Sequence, residues 1–125
     1  IIHKGSTITY IMLQFAFHMG FSEVNLIGLD HDYGEIVKLF PPGTKGLINN
    51  KLLITEENYN LVSKCHFDKN YYKIGDYIGI PNVINQELAY AKAKQIFEKN
   101  GRQIYNLTPN TKLDIFPIKN IKDVL

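Results

Sequence analysis

Four consecutive polar side chains, Asp30 to Tyr33, follow directly on an apolar run that begins at Val24. The apolar run predicts a strand, and in open α/β sheets ligands bind outside the carboxyl ends of the strands. Carboxylates at that position can hold ribose hydroxyls or a Mg²⁺ ion that bridges phosphates. We expect Asp30 to bind rather than Asp32, because Asp30 closes the strand. A purely structural loop stays open as an interpretation, since a polar turn follows any strand.

The tripeptide Gly5-Ser6-Thr7 stands where the first predicted helix begins. Free backbone N–H groups, two hydroxyls and the helix dipole would together favour a phosphate group there. Every helix also needs an N-cap, so capping by Ser6 or Thr7 is the simpler interpretation.

His66 lies in the stretch KCHFDKNYY, close to Tyr71 and Tyr72. A histidine that titrates near neutrality suits a general base that deprotonates an acceptor hydroxyl, and tyrosines can donate hydrogen bonds to a departing phosphate. The alternative is a surface histidine among polar loop residues. Cys65 is adjacent to His66, but a cysteine–histidine nucleophile pair usually comes from separate elements, so the sequence does not favour thiol catalysis.

The residues give no pattern for a protein-bound metal. Asp30, His31 and Asp32 are adjacent, so on an extended chain their side chains point in different directions, and no second histidine or cysteine cluster completes a first shell. We therefore predict no zinc site.

Two helices and two strands must position these residues. A helix capped at Ser6 or Thr7 runs to Gly20, and a second begins at Asn82 or Asn85 and runs to about residue 99. Strands are predicted over 22–29, buried on both faces because apolar residues hardly alternate, and over 102–107. The predicted core faces are Ile8, Ile11, Met12, Phe15 and Met19 on the first helix, and Ala89, Ala93, Ile96 and Phe97 on the second.

Between residues 30 and 81 the periodicity fails, and prolines and glycines break it repeatedly. We expect a long irregular insertion with a short strand at 52–54 and a helical turn or two at 56–64, since connections of this length usually carry function. A further extended segment is predicted over 113–118.

Composition limits the class of protein. A chain of 125 residues with 45% hydrophobic and 21% charged residues is enough for one domain with a core. No segment approaches the roughly 18 consecutive apolar residues of a membrane span. A net charge of +2 with dispersed lysines does not favour a nucleic-acid partner. One cysteine fits a reducing compartment, so we expect a cytoplasmic protein, and without an initiator Met or signal peptide the chain is expected to begin inside a longer protein.

Short blocks in a shared order span almost the whole chain and resemble a known family. They are Gly5-Ser6-Thr7, Gly20-Phe21-Ser22-Glu23-Val24, Gly28-Leu29-Asp30-His31-Asp32-Tyr33, His66-Phe67, Glu87 with Ala89-Tyr90, Gly101-Arg102, Ile104-Tyr105-Asn106-Leu107-Thr108, Leu113 and Phe116-Pro117. The chain resembles the hydroxymethyl-dihydropterin diphosphokinase-like (MptE-like) family, which also includes the central domain of motility accessory factors. It is more distantly similar to bacterial sialyltransferases that use CMP-sialic acid.

The resemblance implies an α/β fold with a Rossmann-like, nucleotide-binding sheet and flanking helices. The glycine-rich motif of the family's first half has no counterpart, so residues 1–125 look like the C-terminal part of one such domain. By resemblance, Ser6 and Thr7 fall where the nucleotide phosphate or base is contacted, and Asp30 lines the nucleotide pocket. Tyr33 lies near tyrosines that help the phosphate leave, and His66 near the base that activates the acceptor.

The function that the resemblance implies is transfer from a nucleotide-activated donor, most closely that of a sugar from a sugar nucleotide to a hydroxyl of a small-molecule or glycan acceptor in bacterial surface-glycan assembly. Tyr33 with Tyr71 or Tyr72 would hydrogen-bond the leaving phosphate. One alternative is a diphosphokinase that acts on a hydroxymethylpterin with ATP, in which Asp30 or Asp32 would help to hold Mg²⁺. The other is a noncatalytic nucleotide-binding or scaffold domain. The sequence indicates no oligomeric state.

Overall fold

The computed structural model describes residues 1–65, 68 and 70–125, which form a mixed α/β structure. The chain divides into two compact units: unit 1 comprises Ile1–Asp32 with Val83–Leu125, and unit 2 is Tyr33–Asn82. In chain order the elements are α1 (Ile8–His18), β1 (Glu23–Leu26), α2 (Gly34–Leu39), β2 (Leu47–Ile48), β3 (Lys51–Leu53), α3 (Tyr59–Ser63), β4 (Tyr77–Gly79), α4 (Val83–Lys99), β5 (Gln103–Asn106) and a 3₁₀ turn at Ile121–Asp123.

The sheet of unit 1 is a parallel pair, β1 beside β5, with Val24 opposite Ile104. The two predicted strands are thus confirmed, although both are shorter than expected. Burial of β1 on both faces was the wrong expectation: Val24 and Leu26 pack against the core, whereas Glu23 and Asn25 are exposed. The strand therefore alternates like one with a single covered face.

Helix α1 begins as the sequence predicts, because the Thr7 hydroxyl accepts a hydrogen bond from the Thr9 N–H at the helix start. Its predicted core face is wrong. Tyr10 and Leu13 are buried and Phe17 packs beside them. The exposed residues include four of the five assigned to the core, namely Ile8, Met12, Phe15 and Met19. Because the helix is apolar on two sides, periodicity could not select the buried one.

Helix α4 supplies the centre of the unit 1 core and agrees closely with the prediction. Ala89, Ala93 and Phe97 are buried, as expected for one face of the helix. The helix ends at Lys99, just before Gly101, whose φ of +70° reverses the chain into β5. A C-terminal glycine in the left-handed region is a common helix stop.

The segment over 113–118, predicted to be extended and broken by Pro117, completes this core and forms no regular strand. Only Ile118 makes a bridge, parallel to Asn106. Leu113 and Phe116 nevertheless have buried side chains that pack with α4. The apolar residues of the segment therefore indicate buried side chains and not a strand. Pro117 lacks an N–H group and cannot donate a hydrogen bond to a neighbouring strand, which explains why no regular strand forms.

Unit 2 is a folded unit rather than the irregular insertion that the sequence predicted. Strands β2, β3 and β4 form an antiparallel sheet in which Leu52 lies between Leu47 and Ile78. The predicted strand and helical turns are present as β3 and α3. The core of the unit consists of Phe40, Leu52, Ile54, Val62, Ile78 and Ile80. Strands of two or three residues are too short to show an alternating pattern, which explains why the sheet went unrecognised.

A buried hydrogen-bond network closes unit 1 where β1 and β5 end. Thr108 Oγ1 accepts from the Leu29 N–H at 2.9 Å, and Thr111 Oγ1 donates to the Leu29 carbonyl at 2.6 Å. The fully buried Asn106 amide binds both threonines, accepting from the Thr108 N–H at 3.1 Å and donating to Thr111 Oγ1 at 3.2 Å. We call these three residues the Asn106 network. They hold the chain that leaves β1 against the segment that leaves β5.

Within the residues described above, no helix is long and apolar enough to cross a membrane.

The Asn106 network makes a stability prediction. Asn106→Ala removes the central amide and leaves the buried Thr108 N–H without its acceptor, while Thr111 keeps its bond to the Leu29 carbonyl. Leaving that N–H unsatisfied costs about 1–3 kcal/mol of unfolding free energy. Urea denaturation followed by circular dichroism measures the change. Gln95→Ala, at an exposed position of α4 in the same unit, is the matched control and should stay within about 0.5 kcal/mol of wild type. Equal stabilities of the two variants would contradict the role of the network.

Candidate functional site

The loop that precedes α1 lies against the first turn of α4. Asn85 Nδ2 donates a hydrogen bond to Ser6 Oγ at 2.5 Å, and Gln86 Nε2 donates to the Ser6 carbonyl at 3.2 Å. The starts of α1 and α4 therefore meet at Ser6. Each helix carries partial positive charge at this end, so the neighbourhood of Ser6 favours an anion. Ser6 and Asn85 both have exposed side chains that a ligand can reach.

The backbone of this loop is unusual and explains its glycine. Gly5 and Ser6 have φ angles of +57° and +59°, in the left-handed region. A Cβ atom on Gly5 would lie 2.4 Å from Tyr10 Cδ1 and 2.7 Å from Ala89 Cβ. Only glycine therefore permits the loop to approach α1 and α4 this closely. Contacts from α4 hold Ser6 in a conformation that a non-glycine residue seldom adopts.

Tyr90 connects this loop to the residues that follow β1. Its side chain is fully buried, and its hydroxyl shares a hydrogen bond with Thr7 Oγ1 at 3.2 Å. Its ring packs edge-on against the His31 ring, with centroids 6.0 Å apart. Sequence reasoning treated Tyr90 only as part of a resemblance. The sequence does contain a signal for this role: Tyr90 lies on the predicted buried face of a helix, and a buried tyrosine hydroxyl normally finds a hydrogen-bond partner.

His31 faces inward and is held by Glu87. The His31 side chain is only 3% exposed, and its Nε2 lies 3.0 Å from Glu87 Oε1, which is on a side chain 48% exposed. Its φ of +52° turns the chain five residues after the end of β1. The contact is an ion pair when the imidazole is protonated, and otherwise a hydrogen bond from the Nε2–H to the Glu87 carboxylate. Either form fastens the loop after β1 to α4.

The two predicted carboxylates at this strand end, Asp30 and Asp32, are exposed. Asp30 is fixed through its main chain, because its carbonyl accepts from the Lys112 N–H at 2.8 Å and from Thr111 Oγ1 at 3.3 Å. The backbone is thus ordered by unit 1 while the Asp30 carboxylate faces outward. The role of Asp30 as a ligand-binding residue stays a prediction.

The predicted tyrosines belong to unit 2. Tyr33 is half-buried at the start of α2, and the rings of Tyr71 and Tyr72 meet edge-on with centroids 5.0 Å apart. Tyr71 and Tyr72 line a shallow depression of about 580 Å³ together with Asp76 and Tyr77. His66, the predicted general base, lies outside the residues that the structure describes.

Burial raises the pKa values of two side chains in unit 2, Cys65 and Tyr72. Burial raises the pKa of the Cys65 thiol, and the nearby Glu35 carboxylate adds to the rise. Burial likewise raises the pKa of Tyr72, with smaller contributions from Cys65 and Tyr71. A reactive cysteine needs a lowered pKa, so the raised pKa of Cys65 agrees with the sequence argument against thiol catalysis.

Unit 1 thus brings together three of the predicted residues, Ser6, Thr7 and His31, along the N-terminal half of α4. Sequence reasoning did not assign a site role to the α4 residues that hold them, which are Asn85, Gln86, Glu87 and Tyr90. Over the described ranges, no group of three or more His, Cys, Asp and Glu side chains is placed to hold a metal ion.

Comparison of the chain with protein-family models, with curated proteins and with solved structures finds no match.

The close approach at Gly5 generates a prediction. Gly5→Ala adds a methyl group against Tyr10 and Ala89 at a left-handed φ, and should lower the unfolding free energy by about 3 kcal/mol. Gly28→Ala is the matched control, because Gly28 also has a positive φ, +82°, but a Cβ there meets nothing within 4 Å. Its cost should be about 1 kcal/mol. Chemical denaturation of both variants measures the difference, and a smaller loss for Gly5→Ala than for Gly28→Ala would contradict the steric argument.

Proposed function

We propose that this chain is a nucleotide-dependent transferase domain with a Rossmann-like sheet, and that it transfers a sugar from a sugar nucleotide to an acceptor hydroxyl, as in the sialyltransferase-like proteins that it resembles. The observation that carries the proposal is the meeting of the starts of α1 and α4 at Ser6, beside the Asn85 amide. The family resemblance independently assigns a nucleotide contact to Ser6 and Thr7.

The chemistry at Ser6 suits a phosphate. Ser6 offers a hydroxyl, Asn85 a carboxamide, and the first N–H groups of two helices lie nearby with their partial positive charge. A phosphate oxygen can replace the Asn85–Ser6 hydrogen bond with contacts to both groups, since each of them can donate a hydrogen bond.

The parallel pair supports a nucleotide site in the same unit. In α/β sheets of this kind the ligand lies beyond the carboxyl ends of the strands. The residues beyond β1 are Asp30, with an exposed carboxylate, and His31, which is fastened to α4 by Glu87. We assign Asp30 to a ribose hydroxyl and the Ser6 region to phosphate. His31 keeps the strand-end loop in place.

The proposed reaction is a displacement at the anomeric carbon of the donor sugar. The acceptor oxygen forms a bond to that carbon, the bond from the carbon to the phosphate oxygen breaks, and the acceptor proton passes to His66. The leaving nucleotide takes the electron pair and gains negative charge. The helix starts at Ser6 stabilise this charge.

Ligand binding tests the donor class. CMP and CMP-sialic acid should raise the melting temperature of the chain, whereas ATP with Mg²⁺ should not, because a ligand stabilises only the state that it binds. Asn85→Asp places a negative charge at the phosphate position and should weaken CMP binding by at least about tenfold. An acidic residue in the first turn of a helix favours the helix, so the variant should remain folded.

Gln95→Glu is the control for that charge change, because it makes the same amide-to-carboxylate substitution at an exposed position farther along α4. It should leave CMP binding unchanged. A thermal shift with ATP and Mg²⁺ but not with CMP would overturn the glycosyltransferase assignment in favour of the diphosphokinase alternative. No shift with either nucleotide would leave the chain without support as a nucleotide-binding domain.

The general-base role of His66 makes a separate prediction. His66→Ala should lower the turnover of CMP-sialic acid, measured as acceptor-dependent release of CMP, by about 10²-fold or more, while the melting-temperature shift with CMP is retained. His18→Ala, at an exposed histidine on α1, is the matched control and should turn over donor like the wild type. Retained turnover in His66→Ala removes this histidine from the mechanism.

A further inference from the structure

Helix α1 carries a second apolar stripe on the side opposite its buried face. The helix positions of the two sets differ by about half a turn, so the stripe faces away from Tyr10 and Leu13. Its members are 54–70% exposed, and they are Ile8, Met12, Phe15 and Met19. A helix that is apolar on both sides is normally covered on both sides.

Strand β1 has an open edge. The carbonyls of Ser22 and Leu26 accept hydrogen bonds from the N–H groups of Gln103 and Leu107 and therefore face β5. Because backbone groups alternate along a strand, those of Glu23 and Asn25 point to the opposite edge. Among the strands that the structure describes, none pairs with β1 at that edge. Unpaired edges of this kind are templates for adding another strand.

The sequence of β1 is complementary to itself at this edge. Phe21 and Ile27 are exposed and lie three residues before and three residues after Val24. Antiparallel pairing of two β1 strands about a two-fold axis at Val24 places Phe21 opposite Ile27 of the partner subunit. The same register places Glu23 opposite Asn25 of the partner subunit, so that apolar residues meet apolar residues and each carboxylate meets an amide.

A neighbouring register does not have this property. A two-fold axis at Asn25 also satisfies the outward backbone groups, but it places the Glu23 carboxylate opposite the apolar Ile27 of the partner subunit. In that register Phe21 lies opposite Leu29 of the partner subunit, and Leu29 packs against the core of its own copy. The complementarity therefore selects one symmetric pairing. Self-complementary patches are the requirement for a two-fold dimer, in which both copies use the same surface.

We propose that two copies of this chain form a two-fold dimer through the outer edge of β1 and the exposed stripe of α1. The pairing gives a four-stranded sheet in the order β5, β1, β1, β5, and with the axis perpendicular to the sheet both α1 helices lie on the same face. Six apolar side chains that are exposed in one copy, those of the stripe with Phe21 and Ile27, would be covered in the dimer. The strand edges add main-chain area toward the roughly 800 Å² per partner of a standard interface.

Sedimentation equilibrium on the full chain tests the assembly. The expected mass is twice 14.4 kDa. Hydrogen exchange of the dimer should show slow, concentration-dependent exchange of the Glu23 and Asn25 amides, since these N–H groups are protected only if another strand pairs with the outer edge. A monomeric mass, a mixture of higher aggregates, or fast exchange of both amides in the dimer would overturn the proposal.

Two variants examine the two halves of the interface. Met12→Lys brings a charge into the stripe, and Asn25→Pro removes an outward N–H while leaving the bonds to β5 intact. Each should weaken dimerisation by at least about tenfold with an unchanged circular dichroism spectrum. Leu88→Lys is the matched control, because Leu88 on α4 is 65% exposed, against 63% for Met12, but lies outside the interface. Dimerisation that survives both interface variants, or that Leu88→Lys weakens equally, excludes this surface.

Discussion

The buried amide of Asn106 is the constraint on which unit 1 depends. It stands at the end of β5 with no access to solvent, so its donor and acceptor groups must be satisfied within the protein. Thr108 and Thr111 meet that requirement and at the same time bind the N–H and the carbonyl of Leu29. Beyond the ends of β1 and β5, side-chain hydrogen bonds thus join the two segments in place of the backbone hydrogen bonds between the strands. The chain is therefore fixed at the point where it turns into the loop of Asp30 and His31.

Tyr90 extends this order from the core to the candidate site. One side of the tyrosine belongs to the hydrophobic core with Phe116, while its hydroxyl binds Thr7 and its ring supports His31. The loop before α1 and the loop after β1 are consequently positioned by the same buried side chain. The placement of the loop before α1 also requires glycine at position 5, because any larger residue would push this loop away from α4.

The sequence predicts the structural features that are determined by residues close together along the chain, and few of the others. The Thr7 cap, the glycine stop of α4 and the two parallel strands each have short-range signatures, and all are present. The inward placement of His31 depends on Glu87 and Tyr90, more than fifty positions away, and the contact of Ser6 with Asn85 spans 79. No short-range pattern encodes such pairs. The strands of unit 2 have two or three residues, fewer than one full repeat of a detectable alternation.

Helix α1 shows most clearly where periodicity fails and packing decides. Both of its stripes are apolar, yet only the side with Tyr10, Leu13 and Phe17 meets α4. The small side chains Ala89 and Ala93 on α4 leave room there for large residues, and Arg102 stacks over Phe17 while donating to its carbonyl at 2.7 Å. The other stripe is equally apolar but has no such neighbour in unit 1, and β1 adds its own open edge with apolar residues on either side of Val24. A surface that combines unpaired backbone groups with a row of large apolar side chains is best satisfied by another strand and another helix, which a second copy of unit 1 provides.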